Sequence, residues 1–175
     1  AHFAWAVRDS DPELSRRYAA SALRNWRNMV ASWDASGGHS AEPWQRLFMD
    51  GSILWSALYL EQLFPKDRQI KAQIAQRVPA LIDLMQKKVY LQKPYLAMTI
   101  SGFNGTELVF DLQCAPAAMD FLRFHPDSNR AEDVRQQLRV FVDEYLVPAC
   151  RTSEFGRLGQ IGEKGAALQH FLSHR

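Results

Sequence analysis

Two carboxylates facing one cleft can divide acid and base work, one giving a proton to a leaving group while the other activates a water. The acids placed to do so are Asp50, Glu107 and Asp111, each near the start of an apolar helical run; Glu107 and Asp111 are four apart and share a helix face. A structural role competes for two of them, because Glu107 is favoured at a helix N-terminus by the macrodipole and Asp111 can meet a basic neighbour. Asp120 falls in the last turns of its helix, where an acid needs a partner, and Arg123 is the mate the sequence offers. His170 and His174 have a spacing that puts two imidazoles on one metal, yet no third ligand stands near them, so no metal site is expected. Serine-nucleophile and phosphate-loop motifs are absent and no cofactor is expected. Gly156-Arg157-Leu158-Gly159 before a helical stretch can cradle an anion or simply turn the chain. Cys114 and Cys150 lack any CxxC or metal-ligand spacing and read as small buried apolar residues. Asn104-Gly105-Thr106 matches a glycosylation acceptor, a pattern short enough to arise by chance.

The elements that must position these side chains are helical. Asp11-Pro12-Glu13-Leu14 sets a capping acid before a proline at the first helical position. Leu14, Tyr18, Ala22, Trp26, Met29, Val30 and Trp33 then recur at helical spacing, with a stop before Gly37-Gly38. The run 45–63 is apolar in nearly every direction, which demands burial all round. Beyond Pro65-Lys66-Asp67, a stripe of Ile70, Ile74, Val78, Leu81 and Met85 predicts an amphipathic helix whose other faces carry Lys71, Gln73, Gln76, Arg77 and Lys87, with a bend at Pro79. Residues 88–105 lose the period and read as a long connection with a short extended stretch near 96–100. A second all-round apolar run spans 106–124, with Pro116 kinking it or marking its start. The turn His125-Pro126-Asp127-Ser128 leads to a striped helix through Val134, Leu138, Phe141, Val142 and Tyr145, and a weakly patterned helix is expected over 159–172.

Composition agrees with a packed domain of 175 residues, 47% of them hydrophobic. The 21 Lys+Arg nearly balance 19 Asp+Glu without charge blocks, which gives no support for a nucleic-acid or membrane-surface partner. No apolar run is long enough to cross a bilayer, and the first residues lack the regions of a secretory signal. Ala1 sits within an apolar helical pattern, so the chain is expected to be one helical domain, 1–175, forming a segment of a larger one. Two helix types alternate, one buried all round and one amphipathic, which is the order expected of a chain winding between an inner and an outer layer. A helical-repeat solenoid is the alternative, without self-similarity at a fixed period to support it.

Specific residues also carry a resemblance. Ala1-His2-Phe3-Ala4-Trp5-Ala6-Val7-Arg8, Ser10-Asp11-Pro12-Glu13-Leu14-Ser15-Arg16-Arg17-Tyr18 and Ala22-Leu23 with Trp26 resemble the helical catalytic domain of family 9 glycoside hydrolases, the cellulase-like inverting enzymes. Leu54-Trp55-Ser56-Ala57-Leu58-Tyr59-Leu60 looks like an inner helix of that family, and Thr152-Ser153-Glu154-Phe155-Gly156 is similar to its Ser-Pro-Tyr-Gly loop, with Phe155 for the tyrosine and Glu154 for the proline.

The resemblance implies an all-α fold of antiparallel helical hairpins forming part of an (α/α)6 toroid, acting on β-linked glucans or oligosaccharides. The family's Asp-Ala-Gly-Asp base motif and its terminal Asn-Glu proton donor are missing here, so the catalytic carboxylates are expected outside this segment or absent altogether. Inverting hydrolysis wants its acid and base about 6.5–9.5 Å apart across one cleft, and Asp50, Glu107 and Asp111 are the candidates this chain offers. Sugar rings stack on aromatic faces, which makes Trp44, Phe103 and Phe155, in loops before inner helices, the expected substrate platforms, with Arg157 beside them. Those aromatics can equally plug the end of the ring as ordinary core, while Trp5, Trp26, Trp33 and Trp55 lie in helical stripes as packing. The expected partners are a carbohydrate substrate and either the rest of the domain or a second chain. A non-enzymatic scaffold binding a protein along a concave face is the main alternative, and a polysaccharide lyase or terpenoid cyclase on a similar toroid is a more distant one.

Overall fold

A computed structural model of the chain describes residues 1–37, 43–89 and 114–146, apart from the side chains of Trp44, Tyr145 and Leu146. Among the described residues the structure is all-helical, without strands. The elements are α1 (His2–Ala6), α2 (Pro12–Ala35), α3 (Pro43–Leu63), α4 (Arg68–Gln86), α5 (Cys114–Phe124) and α6 (Ala131–Phe141), the last running on into a π-helical turn over Val142–Leu146. No helix among the described residues is long and apolar enough to cross a membrane.

Local chemistry sets these boundaries. The Asp11 carboxylate accepts a hydrogen bond from the Leu14 amide at 2.9 Å, and Pro12 occupies the first turn, where its missing N–H costs nothing. Gly37, at φ 75°, supplies the left-handed residue that follows α2. Asp67 caps α4 by accepting from the amides of Gln69 and Ile70 at 2.9 and 3.1 Å, and pairs with Arg27 of α2 at 2.6 Å. Pro116 is the third described residue of α5. The unbroken helix expected through Tyr145 instead widens after Phe141. Phe141 and Val142, consecutive residues, are both fully buried there.

Shelter alternates along the chain. Only Pro43 and Gln62 of α3 and only Arg123 of α5 are exposed among the side chains described, whereas α2, α4 and α6 each bury one stripe and carry several exposed residues on their other faces, among them Glu132, Gln136 and Arg139 of α6. Leu47, Ile53, Leu54, Leu58 and Leu60 of α3 anchor a core completed by Ile70, Leu81 and Met85 of α4 and by Leu138 and Phe141 of α6. The contacts also fix direction. Trp26 and Trp33 of α2 reach Ile53 and Asp50 in falling order, so α2 and α3 are antiparallel. His2 and Trp5 reach Trp55 and Tyr59, and Asp120 and Phe124 reach Trp55 and Tyr59, both in rising order, so α1, α3 and α5 run the same way.

Two expectations change here. Tyr18 and Ala22, assigned to the packed stripe of α2, give way to Ser15 and Ala19; Ala22 is half-buried and Tyr18 is 51% exposed, because α2 turns Ser15 toward α1, its hydroxyl donating to the Ala4 carbonyl at 2.7 Å, and Trp26 toward α3. Arg77, placed on the solvent side of α4, is instead buried, lying at the spacing of the stripe through Ile74 and Leu81.

Candidate functional site

The amino-terminal third of α3 meets the carboxyl end of α2 and the middle of α4 around a charged cluster. Arg77 directs its whole donor fork into protein: Nε to Gln73 Oε1 at 2.8 Å, one terminal nitrogen to Asp34 at 3.1 Å and the other to Asp50. Asp50 also accepts from the Trp33 indole N–H at 3.2 Å. A cavity of ≈ 100 Å³ lies beside these groups, lined by Trp33, Asp34, Arg46, Asp50, Gln76 and Arg77. It is smaller than the roughly 300 Å³ at which small-molecule pockets begin, so it holds no sugar ring.

The geometry decides what Asp50 can do. Its side chain is 7% exposed and that of Arg77 is 4%, so the carboxylate is committed to the guanidinium and to Trp33. Asp50 fastens α2, α3 and α4 together in this structure. The acid with solvent access in the cluster is Asp34, 43% exposed, which the sequence pattern did not single out. Arg46 brings a second guanidinium to the cavity, and its buried Nε has no hydrogen-bond partner among the described residues. Opposite charges at core spacing on consecutive antiparallel helices, Asp50 after Leu47 and Arg77 after Ile74, are the signal that would have exposed the pair.

The carboxyl ends of α1, α3 and α5 build a second constellation. Asp120 accepts from the Trp55 indole N–H at 2.7 Å, a partner across the helix interface, whereas the sequence offers Arg123 on its own helix. Burial, and then the neighbouring Asp120 charge, push the Tyr59 phenol well above its ordinary value, Arg123 only partly offsetting them. Trp5, Tyr59 and Phe124 form a closed triangle of edge-on rings with centroids 5.4, 5.8 and 5.2 Å apart. Arg8 and Arg123 lie over the Trp5 ring at 4.0 and 4.9 Å. His125 stands 2.7 Å from Glu61 and stacks on Phe121.

Other sequence candidates fall elsewhere. Trp44 stands in the first turn of α3 and not in a loop before it. Glu107, Asp111, Phe103, Phe155, Arg157, His170, His174, Cys150 and Asn104 lie outside the described residues. Among the described residues no group of three or more His, Cys, Asp or Glu side chains could hold a metal ion. Compared with protein-family models, with curated proteins and with solved structures, the chain matches none.

Proposed function

We propose that this chain is part of a double-layered helical domain that acts on carbohydrate, contributing subsite contacts while the general acid and base come from outside this segment. The observation that carries the reading is the alternation of all-round sheltered α3 and α5 with one-sided α2, α4 and α6. A polypeptide winding between an inner and an outer ring needs that order, whereas a plain four-helix bundle makes its helices similarly amphipathic. The common direction of α1, α3 and α5 supports it.

In such a ring the amino ends of the inner helices and the loops before them line the cleft. Trp44 stands at that end of α3, and residues 103–111 precede α5. Trp44, Phe103 and Phe155 are the sugar platforms of this reading, with Arg157 as a hydrogen-bonding contact, and the likeness to family 9 glycoside hydrolases favours β-linked glucans and inversion. Glu107 and Asp111 remain as acids near the cleft, while Asp50 is given to structure. Calorimetric titration with cellopentaose tests the reading. Binding is expected, weakened about fivefold or more in Trp44→Ala and in Phe155→Ala. Absence of binding, or both variants binding like the parent, overturns it.

A further inference from the structure

We infer that Arg46 and Asp34 recognise a neutral hydroxymethyl arm of the sugar, received by the cavity between α2, α3 and α4. The inference rests on the carbohydrate reading and deepens it by naming the substituent that this segment selects.

Two opposite charges line that cavity without meeting. Arg46, half-buried on α3, makes no hydrogen bond or ion pair among the described residues, so its buried Nε–H and its terminal nitrogens are all unused donors. Asp34, at the carboxyl end of α2, gives one oxygen to Arg77 and keeps the other unengaged among the described residues. The remaining charges of the lining are spent on each other, since Arg77 pairs with Asp50 and the Trp33 indole donates to the same acid. A donor and an acceptor are thus left over at the edge of one space of ≈ 100 Å³.

Charge and size choose the occupant. Arg46 and Arg77 balance Asp34 and Asp50, so the lining is neutral as a whole: two carboxylates oppose an anion and two guanidiniums oppose a cation. A hydroxyl accepts from a guanidinium and donates to a carboxylate through one oxygen, which meets both unused groups without adding charge. The cavity is too small for a sugar ring and has room for the two heavy atoms of a CH2OH arm, with Trp33 and Ala80 adding apolar surface for the methylene. Access is from solvent, because Asp34 is 43% exposed and Gln76, also in the lining, is exposed. The cavity lies at the amino-terminal third of α3, and the carbohydrate reading turns that end of the helix toward the cleft.

Three β-1,4-linked pentasaccharides test this by calorimetric titration of the full chain: cellopentaose, which carries the arm, xylopentaose, which lacks it, and the glucuronate counterpart, in which a carboxylate replaces it. Cellopentaose should bind at least about tenfold more tightly than either of the others, because each of them leaves a polar group of the cavity unanswered. Arg46→Met should bring cellopentaose and xylopentaose within about twofold of each other, with the circular dichroism spectrum unchanged. In nitrogen-15 spectra of the parent chain, the Arg46 Nε–H signal, identified by its loss in Arg46→Lys, should shift with cellopentaose and stay in place with xylopentaose. Equal binding of these two sugars overturns the inference, leaving the cavity to water, and tighter binding of the glucuronate sugar overturns it in favour of an anion. So does a preference that survives Arg46→Met, or an Arg46 signal unmoved by bound cellopentaose. Each of those results sinks this inference while the carbohydrate reading stands, whereas failure of all three sugars to bind sinks both.

Discussion

Arg77 and Asp50 pair across the α3–α4 interface with 4% and 7% of their side chains exposed. Stripping one charge from such a pair leaves the other in low dielectric without compensation, at about 3–5 kcal/mol, whereas apolar replacement of both is often neutral. Arg77→Met should therefore lower the unfolding free energy in urea by about that amount. Adding Asp50→Leu should restore most of it, because the remaining partner, Asp34, is 43% exposed and returns to water. A double variant weaker than Arg77→Met would show that Asp50 acts through something other than this pair.

Tyr59 predicts an alkaline limit. Its phenol is raised above the ordinary value by burial and by Asp120, so the folded state favours the neutral ring. That contribution to stability is complete below the unfolded-state value of about 10 and fades as pH rises from there toward the folded one. Absorbance titration of the five tyrosines should show one that stays neutral after the exposed ones have ionised, missing in Tyr59→Phe. In the same variant the loss of stability above about pH 10 should shrink.

The Trp55 indole gives Asp120 a charge-assisted hydrogen bond of 2.7 Å. Trp55→Phe should cost about 1.5–3 kcal/mol in chemical denaturation. In an Asp120→Asn background the same substitution should cost less, since the acceptor no longer carries charge. Equal costs in the two backgrounds would locate the role of Trp55 in packing.

Asp67 serves two elements, capping α4 and pairing with Arg27 of α2. Asp67→Ala should lower stability by about 1–2 kcal/mol by thermal unfolding, and Asp67→Asn by much less, because asparagine caps nearly as well. Arg27→Ala, on a side chain 46% exposed, should cost under about 1 kcal/mol.

What could be read in advance followed from how much each signal depends on neighbours. Asp11-Pro12 and Asp67 announce helix starts because capping is local chemistry, and α3 declares its burial because apolar residues lie on every side of it. The stripe of α2 is not legible at Tyr18 and Ala22 because an apolar arc shows only that burial is available, while α1 at Ser15 and α3 at Trp26 decide which half of the arc is taken. Arg77 reads as solvent-facing from sequence because its burial depends on Asp50, 27 residues away, and no helical period contains that pairing. The same holds for Asp120, whose sequence neighbour Arg123 lies over rings while Trp55 reaches it from another helix. Trp33 counted as packing and also proves to be a hydrogen-bond donor to the buried acid.

The triangle of Trp5, Tyr59 and Phe124 has a bearing on how the molecule assembles. Its corners lie in the first, middle and last thirds of the described chain, so its closure waits on long-range encounters that are entropically slow to reach. Once closed, it couples α1 to α5. Undocking of α1 should therefore be felt more than a hundred positions downstream, and hydrogen exchange at α5 would register whether α1 is docked.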